Sequence, residues 1–220
     1  MASQMFGGTN LSMQLSATAT FTDLGGGKLG VTLANTYTGD TVDQAHVLTG
    51  VFFNYASALS LSPVSASASA GSIFWIGSTS GPAPDSSVLG TEWAYGTGSA
   101  PHGANAGIVS SGYYTPGFGN FASPGDMLDG SGYGILSAGY AGSDLDGLSN
   151  RPYVQPSMEF ILSGFTGSLS SITDLSFQYG TSLSEPNLVG LPVPEPGAIA
   201  LLGLGAAAVF MLRRKTQAGV

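Results

Sequence analysis

Apolar and small polar residues alternate at period two through the first third of the chain. Residues 11–22, LSMQLSATATFT, do so, and residues 28–38, KLGVTLANTYT, do so again after Asp23-Leu-Gly-Gly-Gly27. Period-two alternation describes a strand with one buried face, and a glycine cluster between two such runs predicts a β-hairpin. Residues 45–55, AHVLTGVFFNY, predict the most apolar strand of the first half. Residues 59–70, LSLSPVSASASA, alternate again, with Pro63 pointing to an edge or a bend. Residues 72–77, SIFWIG, predict a short strand buried on both faces. With no helical period among these five segments, the pattern predicts an all-β fold, a single antiparallel sandwich of jelly-roll or Ig-like kind.

The middle of the chain is less patterned. Residues 78–150 are punctuated by Gly, Ser and Pro and carry Trp93, Tyr95, Tyr113, Tyr114, Phe118, Phe121, Tyr133 and Tyr140. Within them, residues 91–96, 107–114 and 133–139 fit either strands or brief helical turns. Residues 153–162, YVQPSMEFIL, and 172–179, ITDLSFQY, predict two closing strands. The aromatics read first as filling for a core short of large aliphatics, and second as stacking faces for a polysaccharide.

The last thirty residues are of another kind. In residues 191–197, LPVPEPG, three prolines at alternate positions fix φ and bias their predecessors toward extended backbone. Residues 198–212, AIALLGLGAAAVFML, form an uncharged fifteen-residue run, about 23 Å long as a helix. A hydrocarbon core of ~30 Å exceeds this length, and local thinning with snorkelling of the following cations closes the gap. Arg213, Arg214 and Lys215 come next, a basic cluster that halts a span and holds its end in the cytoplasm. Length alone also allows a buried core helix.

Proline-rich strand, short span and basic cluster, in this order, resemble the PEP-CTERM sorting signal of Gram-negative bacterial surface proteins. The resemblance rests on Val193, Pro194, Glu195 and Pro196, the apolar run, and Arg213 to Lys215. It implies recognition by a membrane-embedded processing enzyme, an exosortase, with Pro194, Glu195 and Pro196 as recognition residues of a substrate and not as catalysts. Passage through the inner membrane as a single-pass intermediate follows, then delivery to the cell surface or an extracellular, biofilm-type matrix, with exopolysaccharide as a further partner. Family members begin with a signal peptide. The opening residues MASQMFGG show no basic n-region and no apolar h-region, so the resemblance implies either a start further upstream or a truncated relative.

Charge and composition narrow the rest. Residues 1–192 hold two basic residues, Lys28 and Arg151, against twelve acids, a balance that repels phosphate backbones and excludes nucleic acid. Charged residues make up 8% of the chain, which suits an exported β-rich surface protein better than an intracellular enzyme. The chain has no cysteine, so neither disulfides nor thiolate metal sites arise.

Individual chemistry is sparse. His46 and His102 stand apart and without a neighbouring acid, and no nucleophile elbow is present, so no catalytic set assembles and the chain reads as a non-enzyme. Gly25, Gly27 and Gly30 spell G-x-G-x-x-G, but strand-like sequence follows, so a turn is expected and not a dinucleotide cradle. Asp126 and Asp129, and Asp144 and Asp146, read as Asx-turns, with calcium at Asp144 and Asp146 as the alternative and no other cofactor. Thr18, Thr20 and Thr22 fall on one strand face. The organisation expected is an N-terminal segment over residues 1–10, a β-rich ectodomain over 11–188, a sorting motif over 189–197, a transmembrane helix over 198–212 and a basic tail over 213–220. A structural or adhesive ectodomain is the first expectation, a carbohydrate- or ice-binding module the second, a secreted hydrolase the third.

Overall fold

The computed structural model describes residues 1–98, 100–110, 118–122, 132–142 and 151–194. Its strands are β1 (Ser3–Asn10), β2 (Leu15–Gly25), β3 (Lys28–Asn35), β4 (Leu48–Tyr55), β5 (Ser62–Ala68), β6 (Ile73–Ile76) and β7 (Thr79–Pro82). After the helix α1 (Ser86–Glu92) follow β8 (Ala94–Thr97), β9 (Ala106–Val109), β10 (Phe118–Asn120), β11 (Pro152–Gln155), β12 (Ser157–Ser163), β13 (Ile172–Tyr179), β14 (Asn187–Val189) and β15 (Leu191–Val193). One six-stranded sheet runs β15-β1-β2-β3-β12-β5 and a second runs β10-β8-β9-β4-β13-β14, while β11, β6 and β7 form a three-stranded ribbon. All pairings between strands are antiparallel.

Alternation in the sequence becomes two faces in space. Leu15, Ala17, Ala19 and Phe21 of β2, Leu29, Val31 and Leu33 of β3, and Met158, Phe160 and Leu162 of β12 point into one buried cluster. They meet Val51, Phe53 and Tyr55 of β4 and Leu175 and Phe177 of β13 from the second sheet. Phe21 sits at the centre, with edge-on ring contacts to Phe6 at 5.9 Å and Phe53 at 5.1 Å. The strand β4 is nearly all apolar because it is covered twice. Its Phe52 packs on the far side with Ala94, Val109 and Phe118.

The hairpin β2–β3 forms as the pattern predicts, and Pro63 lies in β5, an edge strand, beside a register shift opposite Ile161 and Leu162. Three readings need correction. The sheet begins at Ser3 and not near residue 11, because Phe6 alone anchors β1 while Gly7 and Gly8 hide its alternation. The segment of residues 72–77 is not buried on both faces: Ile73 and Ile76 are exposed, since β6 belongs to the outlying ribbon. The stretch of residues 153–162 is two strands, divided at Pro156 after a cis peptide bond, with β11 in the ribbon and β12 in the first sheet. Beyond these, the seven-residue helix α1 stands in the loosely patterned part of the sequence, where strands and brief helical turns were both open; its Leu89 is buried.

No helix among the described residues is long and apolar enough to cross a membrane. The expected transmembrane run of residues 198–212, together with Glu195, Pro196, Arg213, Arg214 and Lys215, lies outside the described residues.

Candidate functional site: the C-terminal exit

The proline-rich segment leaves the domain at a place where the chain changes sheets. β14 lies on the edge of the second sheet, pairing Val189 with Ser176, Leu188 with Phe177 and Asn187 with Gln178. After the single residue Gly190, β15 lies on the edge of the first sheet, pairing Leu191, Pro192 and Val193 with Gly7, Phe6 and Met5. One short run of chain therefore caps both sheets on the same side.

Glycine makes the crossing possible. The Gly190 N–H donates to the Leu175 carbonyl at 2.8 Å. A Cβ at Gly190 would lie 2.4 Å from Leu175 Cδ2, and one at Gly8, beneath the crossing, 2.6 Å from the Val189 carbonyl oxygen. Neither separation is tolerable for a real side chain.

The approach to the crossing is fixed by a buried amide. Gln178 is fully buried, and its Nε2 faces the carbonyls of Tyr179 at 2.9 Å, Ser182 at 3.1 Å, Glu185 at 3.2 Å and Pro186 at 3.3 Å. Its Oε1 accepts from Asn187 Nδ2 at 3.3 Å and lies 2.9 Å from His102 Nε2, which must then be the protonated ring nitrogen. The Glu185 carboxylate accepts from the backbone N–H and the hydroxyl of Thr181. The loop between β13 and β14 is thus tied before the chain reaches the exit.

Chemistry also decides the pairing of β15. Pro192 has no N–H, so its pair with Phe6 is of the non-hydrogen-bonded kind. Met5–Val193 and Gly7–Leu191 are then the hydrogen-bonded pairs. The missing donor of Pro192 falls on the outer, unpaired edge, where proline is tolerated in a sheet.

Beside the exit is a cleft of about 600 Å³ lined by Gln4, Phe6, His102, Asp174, Asn187 and Pro192 among others. The Asp174 carboxylate accepts from Asn54 Nδ2 at 3.0 Å and Thr173 Oγ1 at 3.1 Å, and these bonds hold its pKa below the ordinary value.

Of the residues singled out from the sequence, Val193 ends β15 and Pro194 follows it directly. His46 and His102 sit in separate 3-10 turns before β4 and β9, and among the described residues no three His, Asp or Glu gather where a metal ion would need them. Asp126, Asp129, Asp144 and Asp146, with Tyr113 and Tyr114, lie outside the described residues. Gly25 ends β2, Gly27 lies in the two-residue turn and Gly30 lies within β3, so strand follows the glycine motif. Trp93, Tyr95, Phe118, Phe121 and Tyr140 are buried. Trp93 Nε1 donates to the Tyr133 carbonyl and the Tyr95 hydroxyl to that of Ala58, and burial pushes the Tyr95 pKa well above the ordinary value. Thr18, Thr20 and Thr22 share the outward face of β2, and Thr32 of β3 stands opposite Thr20. Sequence reasoning missed Gly8, Gln178 and Gly190; nothing in the residue pattern distinguishes them from ordinary turn or strand positions.

No curated protein and no solved structure matches the chain. A family model, the PEP-CTERM protein-sorting motif, matches residues 192–215, which begins within β15 and takes in the prolines, the apolar run and the basic cluster. The chain that leaves this sheet edge therefore carries a PEP-CTERM sorting motif, the mark of a protein directed by an exosortase to export or the cell surface.

Proposed function

We propose that the chain is a Gram-negative surface or extracellular-matrix protein that passes the inner membrane as a single-span intermediate and is processed there by an exosortase. The motif match over residues 192–215 carries this reading. In it, the helix of residues 198–212 halts in the bilayer, and Arg213, Arg214 and Lys215 keep its end in the cytoplasm, as charge asymmetry favours. Val193, Pro194, Glu195 and Pro196 form the recognised segment. Glu195 is the one charge between the sandwich edge and Arg213, so a cationic side chain on the enzyme is its natural counterpart. The domain itself is structural or adhesive and not catalytic. In support, the outward face of the first sheet is mostly small and hydroxylated, with Ser16, Thr18, Thr20, Thr22 and Thr32 across β2 and β3.

Charge reversal tests the assignment. Glu195→Lys is expected to leave the domain folded and the precursor unprocessed, seen as retention of the full-length species in a host that processes the wild type. Conversion of the variant at the wild-type rate would remove Glu195 from recognition and, with it, the sorting mechanism proposed.

A further inference from the structure

Proline at every second position leaves a strand with donors on one edge only. Successive N–H groups of extended backbone point to opposite edges, so Pro192 and Pro194 strip the same edge while Leu191 and Val193 keep their donors on the other. In this structure β1 occupies the edge that still has donors.

We propose that β1 and the processing enzyme compete for this one edge, so that docking of residues 191–193 on the sheet holds the tail back from cleavage and their release admits it. The proposal rests on the reading of the tail as an exosortase substrate. An enzyme that takes up extended backbone does so by adding it to a strand edge or an equivalent row of backbone groups, and a one-edged peptide serves one such partner at a time.

Chain length points the same way. Between Val193 and Ala198, the start of the proposed span, lie four residues, no more than ~14 Å even fully extended. While β15 is docked, a membrane-embedded enzyme has to work in that gap, against the sandwich edge. Release of residues 191–193 adds about 10 Å.

The hold is slight enough to be reversible. All three residues of β15 are exposed, Leu191 at 65% and Val193 at 36%, and only two of the three pairs exchange hydrogen bonds. Short exposed segments with few buried contacts open locally without global unfolding. β1 would stay in place, since it pairs with β2 over eight residues.

A reversible lock tests this directly. The chain has no cysteine, and Met5 and Val193 are opposed residues on the outward face. A hydrogen-bonded antiparallel pair places its Cα atoms about 5.5 Å apart, within disulfide range. The Met5→Cys/Val193→Cys precursor, followed by pulse-chase in a processing host, is expected to convert at least ten-fold more slowly when oxidised. Reductant should restore the rate of the single Val193→Cys variant. Leu191→Pro, which removes one docking donor and leaves residues 192–215 untouched, is expected to convert several-fold faster. Failure of the disulfide to form, conversion of the locked precursor at the rate of the single variant, or no gain from Leu191→Pro would each overturn the competition. Glu195→Lys in the same experiment separates the two readings. If it converts normally, the substrate assignment fails; if it is blocked while the lock has no effect, only the competition fails.

Discussion

Replacing Gly8 by alanine probes the crossing where β14 gives way to β15. The new methyl would stand 2.6 Å from the Val189 carbonyl oxygen and 2.9 Å from Leu188 Cγ, so one side has to move by more than half an ångström to reach ordinary contact. Overpacking of this kind costs about 1–3 kcal/mol if everything stays in place. The docked strand offers an easier way out. Its two hydrogen-bonded pairs supply at most four backbone bonds, each worth about 0.5–1.5 kcal/mol net. Ordering three residues costs about 1–2 kcal/mol apiece, which leaves the hold near balance. Gly8→Ala is therefore expected to free residues 191–193 and leave the sandwich folded. Total destabilisation should stop at about 1–2 kcal/mol, a fall in Tm of roughly 2–8 °C for a domain of this size. Denaturation of the full chain in detergent micelles gives the first number, and amide exchange at Leu191 and Val193 gives the second, with protection lost at both. Unchanged Tm together with unchanged protection would refute the close approach. A loss beyond about 5 kcal/mol would refute the claim that the crossing yields before the core does.

Three further outcomes follow from named contacts. Phe21→Ala removes the ring between Phe6 and Phe53 and is expected to cost about 3–5 kcal/mol in denaturant titration, the usual range for a buried phenylalanine. Gln178→Leu leaves four carbonyls, Asn187 and His102 without their shared partner. A loss of about 2–4 kcal/mol is expected, with raised exchange across residues 180–189. Asp174 has its folded-state pKa lowered by Asn54 and Thr173, so the stability it contributes is present above its unfolded pKa and disappears as pH falls through the lowered folded value. Asn54→Ala should move the Asp174 titration seen by NMR part of the way back toward the ordinary carboxylate value and weaken that acid-side dependence, with Thr173 keeping the remainder.

The strands that alternate on one buried face were legible from the residues, and β2 and β3 stand close to where the pattern puts them, although Leu11–Met13 form a 3-10 turn ahead of β2. What misled were segments whose surroundings differ from a two-layer sandwich. Phe74 and Trp75 in β6 promise deep burial, but a ribbon that meets the core mainly through Val154 of β11 leaves both half-buried and Ile73 and Ile76 in solvent. Period two carries straight through Gln155 and Pro156, while the chain there passes from one sheet to another. At the exit, Pro192 and Pro194 announced an extended backbone, which is local, whereas its partner β1 lies at the other end of the sequence and no local signal names it. Gln178 in ITDLSFQY looks like the polar half of an alternation, and only the fold turns it into a buried amide serving the loop that follows.

The pairing of Met5 with Val193 joins residues 188 positions apart. A contact of such high sequence separation forms late, because almost the entire chain must be arranged before the two strands can meet. For a polypeptide threaded through a membrane from its N-terminal end, the first strand waits on the far side with an open flank until nearly the last of the domain has arrived. Completion of that seam therefore waits until nearly the whole domain has crossed, and the outer flank of β1 stays uncovered until Leu191, Pro192 and Val193 arrive.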